Sequence, residues 1–315
     1  MNNVLEVRNL VKRYEKFELK KVSFQVREKT IMGFIGRNGA GKTTTLKALL
    51  NQIHPQEGDI SFFGMDFKEN ELEIKKRIGF VSGGISFYPK ETLRTLTQVT
   101  RGFYDNWQEE AYRKYMKLFR LDEAKRADEL SEGMKVKYLL ALAMSHGAKL
   151  LIMDEPTSGL DPVSRDELLD LFLDLVERDG VSILFSTHIT SDLDKCADDI
   201  TYIRDGEILA CMDIGQFKER YRKVSGRECD LPPSLQEALI GLRCHGGRFQ
   251  AVAEAGRLQE LALDGGAKQS AVQKRQNVGL ENRNINLENQ NVGLVSQIQV
   301  SPATLEDIMI HMEKE

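Results

Sequence analysis

The sequence predicts an α/β chain built on a parallel, nucleotide-binding sheet, and three observations predict it. A strand, a glycine-rich loop and a helix follow one another over residues 31–50. Two later apolar strands each run into polar residues with chemical potential. Strand–helix alternation then continues to about residue 217. Alternation of this kind produces a parallel sheet with helices on both faces.

The first element is Ile31-Met32-Gly33-Phe34-Ile35, followed by Gly36-Arg37-Asn38-Gly39-Ala40-Gly41-Lys42-Thr43 and the helix-like Thr44-Thr45-Leu46-Lys47-Ala48-Leu49-Leu50. The loop has the form G-x-x-x-x-G-K-[ST], a P-loop. Its glycines let backbone N–H groups close around phosphate oxygens, and the helix N-terminus behind them favours an anion. Lys42 can reach the outer phosphates, and the Thr43 hydroxyl can ligate Mg²⁺. The expected nucleotide-binding set here is Gly36, Asn38, Gly39, Gly41, Lys42, Thr43 and Thr44. The chain is therefore expected to bind a nucleoside triphosphate.

Lys149-Leu150-Leu151-Ile152-Met153-Asp154-Glu155 reads as a buried strand ending in two carboxylates. So short an apolar run suits a parallel strand covered on both faces. Asp154 is placed to help hold Mg²⁺. Glu155 is expected to point elsewhere by strand alternation, and to polarise an attacking water as general base. Pro156-Thr157-Ser158-Gly159-Leu160-Asp161 follows, with Pro162 at the first turn of a helix, where its missing N–H is harmless. A further strand, Val181-Ser182-Ile183-Leu184-Phe185, leads to Ser186-Thr187-His188. A lone histidine is more often structural. After a P-loop and an Asp-Glu pair, His188 reads as functional.

Leu130-Ser131-Glu132-Gly133-Met134 precedes the Asp-Glu strand and opens a helical stretch at 135–144. Ser131 and Gly133 can offer a hydroxyl and N–H groups to phosphate, although by themselves they read as an ordinary N-cap. Taken together, these motifs resemble the ATP-binding cassette family, specifically the nucleotide-binding subunit of ABC transporters, over about residues 4–215. The resemblance implies that residues 130–134 are the family signature, with Glu132 where Gly is usual. It implies a D-loop at Ser158 to Asp161, a switch histidine at His188 and an adenine-stacking aromatic at Tyr14. One motif departs: after Arg77-Ile78-Gly79-Phe80-Val81 the family pattern has a Gln that contacts Mg²⁺ and water, and this chain has Ser82-Gly83-Gly84. Hydrolysis is expected to be retained but slowed. Finer likeness, over 80–89 and 102–107, is to a subgroup of bacterial exporters.

The fold class implied is a P-loop NTPase core with an antiparallel β subdomain and a helical signature subdomain, plus a small α+β C-terminal region. The ATPase domain is expected over 1–217, with the helical subdomain at about 86–147. Strands and turns should dominate 4–65, with a tight turn at Pro55-Gln56-Glu57-Gly58-Asp59. Tyr112, Tyr115, Met116, Leu118 and Phe119 form a stripe that reads as core. Asp205-Gly206-Glu207-Ile208 reads as a hairpin turn. The accessory region, 218–315, contains a predicted hairpin at 242–249 and a closing helix introduced by Thr304-Leu305-Glu306-Asp307, a capping box. Three tandem heptads at 276–296 space their apolar residues two and five apart, which excludes a coiled-coil seam. An Asn-rich insertion is expected over about 266–300.

The 315 residues are 41% hydrophobic, enough for a substantial core, and the net charge of −4 supplies no broad basic surface for nucleic acid. Cys196, Cys211, Cys229 and Cys244 lack metal-site spacing and read as reduced thiols. The N-terminus lacks signal-peptide character. No apolar run approaches the ~20 residues of a spanning helix. The resemblance implies ATP and Mg²⁺ as ligands, a second nucleotide-binding subunit (an identical copy in the simplest case), a separate polytopic transmembrane subunit, and a peripheral place on the cytoplasmic face of the membrane. A soluble ABC ATPase and a nucleotide-gated regulatory module are the other classes the motifs allow.

Overall fold

The computed structural model describes residues 2–82, 88–261 and 298–313. The chain divides into two units, Met1–Ile214 and Gly215–Glu315. The expected domain end at 217 falls inside the helix Ile214–Glu219.

In the first unit, β1 (Asn3–Arg13), β2 (Glu18–Arg27), β4 (Glu57–Phe62) and β5 (Met65–Asp66) form an antiparallel sheet in the order β2-β1-β4-β5. The second sheet contains β3 (Ile31–Ile35), β6 (Ile78–Ser82), β7 (Leu150–Asp154), β8 (Ser182–Thr187), β9 (Asp199–Arg204) and β10 (Glu207–Asp213). Its order is β10-β9-β3-β8-β7-β6, and all neighbours are parallel except β9 and β10. β3 and β8 are buried at every position, as strands covered on both faces must be. One core cluster joins the two sheets, with Phe24 stacked on Phe34 at 5.3 Å between ring centroids. Burying each such ring contributes about 2–3 kcal/mol. Arg27 clamps Asp199 bidentately across the same boundary, at 2.8 and 2.7 Å.

The tight turn expected at 55–59 is instead the start of β4, which begins at Glu57. Pairing of β1 with β4 shifts register between Arg8 and Val11, and Gly58 (φ 102°) lies in that irregularity. A Cβ there would sit 2.6 Å from Leu10 Cα, so glycine permits close backbone approach rather than chain reversal. At Asp205-Gly206, by contrast, φ values of 47° and 79° join β9 to β10 in a hairpin turn.

Helices Leu93–Arg101, Glu109–Leu118 and Glu132–Ser145 populate the expected helical region. Tyr112, Tyr115, Met116 and Phe119 are buried there, whereas Leu118 points to solvent, one position off the stripe. Thr97 Oγ1 lies 3.0 Å from the Tyr112 hydroxyl and 2.8 Å from that of Tyr138. The Tyr138 hydroxyl also reaches the Leu93 carbonyl at 3.0 Å. These bonds satisfy hydroxyls that burial would otherwise make costly.

The second unit is a four-stranded sheet in the order β12-β13-β11-β14, from β11 (Tyr221–Arg227), β12 (Ile240–His245), β13 (Arg248–Glu254) and β14 (Gln299–Pro302). Val224, Leu235, Phe249 and Ala253 form its core. The hairpin expected at 242–249 is present, turning at Gly246 and Gly247 with φ 58° and 72°. Thr304 caps the helix Leu305–Met312 with Asp307 completing the box. The expected insertion reached residue 300, yet Gln299 and Val300 already pair with Ser225 and Val224. Strand pairing therefore resumes inside its assumed end. The heptads at 276–296 lie outside the described residues.

Candidate nucleotide site

Three parallel strands end on one side of the sheet, and each delivers a functional segment: β3 the P-loop, β7 Asp154 and Glu155, β8 His188. Ligands of open α/β sheets bind at this edge. The loop closes through Ala40 N–H to the Arg37 carbonyl at 3.1 Å and Gly206 N–H to the Ala40 carbonyl at 3.0 Å. Gly41, at φ 117°, starts the helix Lys42–Leu49, which has no side-chain N-cap and no acidic residue in its first turn. Its leading N–H groups and positive dipole end are therefore left for an anion. Gly36 is equally constrained, because a Cβ there would collide with the Ile203 carbonyl oxygen.

A cavity of about 600 Å³ opens over this loop. Asn38, Gly39, Gly41, Lys42, Thr43, Thr44, Glu155 and His188 line it, as does Ser158. Lys42 is almost wholly buried (5% exposed), and its Nζ donates to the Gly36 carbonyl at 2.7 Å and lies 3.3 Å from Glu155 Oε1. Glu155 Oε2 is 2.8 Å from His188 Nδ1. Lys42, Glu155 and His188 thus form one row along the cavity wall, an ion pair on one side of Glu155 and a hydrogen bond on the other.

Glu155 departs from the expected strand alternation. It lies just past β7 in the left-handed region, φ 50°, and its N–H donates to Ser186 Oγ at 3.0 Å. A bend, not the pleat, turns its side chain toward His188. Ser186 Oγ also donates to Asp154 Oδ1 at 2.6 Å, so one hydroxyl orients both acids. Sequence reading passed over Ser186, although its position two residues before His188 at a strand end was a usable signal.

Thr43 Oγ1 lies 3.2 Å from Asp154 Oδ1. A hydroxyl and a carboxylate oxygen side by side at a phosphate loop are hard donors that suit Mg²⁺. Among the described residues no cluster of three or more His, Cys, Asp or Glu stands ready to hold a metal by itself.

The remaining expected residues lie outside the cavity lining. Tyr14 is 49% exposed, with Lys12 Nζ 5.2 Å from its ring centroid. Its N–H donates to the Phe17 carbonyl at 2.8 Å, and the turn so formed carries Lys16 and Phe17 into the cavity wall. Those two residues and Arg37 were not singled out from sequence, because only the folded turn brings 16 and 17 over the P-loop. Ser131 caps the helix Glu132–Ser145, accepting from Met134 N–H at 3.3 Å, and Gly133 lies in its first turn. Asp161 caps the helix Pro162–Asp179; the Ser164 side chain and the N–H groups of Ser164 and Val163 hold its carboxyl below the usual range. Gly83 lies outside the described residues.

Parallel sheet, antiparallel subdomain, helical subdomain and P-loop row together define an ATP-binding cassette. The family model described as ABC transporter matches residues 19–158. The ABC transporter ATP-binding protein YtrB of Bacillus subtilis is 30% identical over 251 residues, covering 79% of this chain and 86% of that one. The bacitracin transport ATP-binding protein BcrA of Bacillus licheniformis is 33% identical over 226 residues, 71% of this chain and 74% of the relative. Among solved structures, an ATP-binding subunit of an ABC transporter superposes with TM-score 0.61 at 26% identity, covering 68% of this chain and 92% of that one. The chain belongs to the ABC transporter ATP-binding proteins and is an ABC-type ATP hydrolase.

Proposed function

We propose that this chain is the ATP-hydrolysing subunit of a bacterial exporter, working as a pair of cassettes on a separate membrane-spanning subunit from the cytoplasmic face. The observation that carries the reading is the row Lys42–Glu155–His188 over an uncapped helix N-terminus. Triphosphate entering the loop competes with Glu155 for the Lys42 ammonium. Lys42 then screens phosphate charge, and Glu155 is left to take a proton from water attacking the terminal phosphorus. His188 holds Oε2 of that carboxylate in place, which leaves Oε1 for the water, and offers its ring to the same phosphate. Thr43 and Asp154 would hold Mg²⁺, which when bound neutralises charge on the phosphate oxygens.

Ser131, Gly133 and Asp161 lie outside the cavity lining of their own chain. A second cassette presenting them across the nucleotide gives them a role, and ATP then joins the two copies. One relative is named as a bacitracin transport protein and another, from Burkholderia orbicola, as a Nod factor export protein, which supports an outward direction. Among the described residues no helix is long and apolar enough to cross a membrane, in keeping with a partner that supplies the path. On this reading residues 1–217 are the motor, with its helical subdomain at about 86–147, and 218–315 an accessory region.

Purification of the chain from membranes in mild detergent tests the assignment. A polytopic protein recovered in stoichiometric amount supports it; recovery only from the soluble fraction, without such a companion, overturns it. Glu155→Gln should lower turnover by about 10²–10⁴-fold and accumulate an ATP-bound dimer in size-exclusion chromatography. Wild-type turnover in that variant would remove Glu155 from the role of base.

A further inference from the structure

Behind the Glu155–His188 pair lies a buried polar contact that none of the motifs accounts for. Thr157, two residues after Glu155, donates its hydroxyl to Asp192 Oδ2 at 2.6 Å. Asp192 sits four residues after His188, in the short helix Thr190–Cys196. Both side chains are buried, at 0% and 1% exposed. The other carboxylate oxygen, Asp192 Oδ1, has no hydrogen-bond partner among the described residues, and neither has the buried Nε of Arg165. Burial pushes the Asp192 carboxyl up, while Arg165 in the helix Pro162–Asp179 favours its charged form.

An incompletely paired buried carboxylate is an expensive way to join two segments, and an apolar contact of equal volume would pack at lower cost. Directionality is what the polar contact adds. The His188 side chain is 45% exposed, so its bond to Glu155 is open to water and weak by itself. A short, dry hydrogen bond one step behind fixes the same two backbone segments against each other. We propose that Asp192 is a positioning residue for ATP hydrolysis: through Thr157 it holds the turn bearing Glu155 in register with the segment bearing His188. The proposal rests on reading Glu155 and His188 as the hydrolytic pair. It also makes the 157–161 turn and the His188 segment one mechanical unit, so a partner acting on the turn would act on the histidine.

The test uses the full chain at saturating ATP. Thr157→Val keeps the shape and removes the donor. It should lower kcat about tenfold while leaving ATP affinity within twofold, because displacement by a fraction of an ångström harms the reacting geometry more than phosphate binding. Thr157→Ser restores the donor and should restore kcat. Added to Glu155→Gln, Thr157→Val should cost nothing more, since the positioned group is already gone. Wild-type kcat in Thr157→Val would overturn the proposal. So would a fall in kcat that tracks a fall in melting temperature and is not rescued by serine. If Thr157→Val does not fold, Asp192→Leu, which keeps the approximate volume and removes the acceptor, is read by the same criteria. Glu155→Gln and His188→Ala measured alongside separate the two ideas. If both hydrolyse ATP normally, the hydrolytic pair is wrong; if both are inactive and Thr157→Val is not, only the strap is wrong.

Discussion

Lys42 shows how much of the proposed nucleotide site rests on a single side chain. Its ammonium is held by the Gly36 carbonyl and by Glu155, groups that phosphate oxygens would replace. Lys42→Ala should therefore weaken ATP binding by about 10–100-fold, the worth of one charge-assisted hydrogen bond, as read by calorimetry. Unchanged affinity would remove Lys42 from the phosphate site. Most of this site was legible in sequence, since a P-loop is contiguous and its chemistry follows from residue order. The base-contacting aromatic was not equally legible. Tyr14 fits by motif, and Phe17 is the aromatic among the described residues that line the cavity. Phe17→Ala should cost about tenfold in ATP affinity if its ring bears the base. A larger loss from Tyr14→Ala would place the adenine on Tyr14.

At the scale of elements, the connection between helical region and sheet is built around a buried histidine. His146 follows the helix Glu132–Ser145 and stacks on Tyr104 at 3.9 Å between centroids. Its Nδ1 lies 3.1 Å from the Lys76 carbonyl, and Asn106 donates to its own carbonyl at 2.6 Å. Burial lowers its pKa to about 4. Because the folded pKa lies below the unfolded value of about 6.5, the unfolded chain binds the extra proton between these limits. Stability is then lost as pH falls from about 6.5 toward 4, by about 3 kcal/mol at most. His146→Phe keeps the stacking surface and should flatten that acid slope in urea titrations; an unchanged slope would mean other groups govern it. In the second unit, Thr304→Ala removes a cap whose loss costs about 1 kcal/mol. A drop in melting temperature without loss of ATP binding is the expected outcome. None of the relations of His146 was visible in sequence, because its partners lie 42 and 70 residues away.

Across the whole molecule, every described residue lining the cavity belongs to the first unit. Residues 1–214 produced without the remainder should therefore bind ATP with the full chain's affinity, within about threefold on the scale where 1.4 kcal/mol is tenfold. A loss beyond tenfold would show that the second unit shapes the site. Cys196, buried with its thiol pushed up to about 12, should resist alkylation in the folded chain, while exposed Cys229 and Cys244 react. By itself the sequence determined the class of fold and the order in which a glycine-rich loop, two acids and His188 follow their strands, because each is a local pattern: a strand of one period, a loop of fixed spacing, polar residues at a strand end. Only the tertiary structure decided that Glu155 is aimed by a left-handed bend, that Ser186 orients both acids, that Lys16 and Phe17 wall the cavity, and that Asp192 lies behind Thr157. Those relations join residues from separate strands, and which strands lie side by side is settled by the packing of the whole sheet rather than by the order of residues along any one segment.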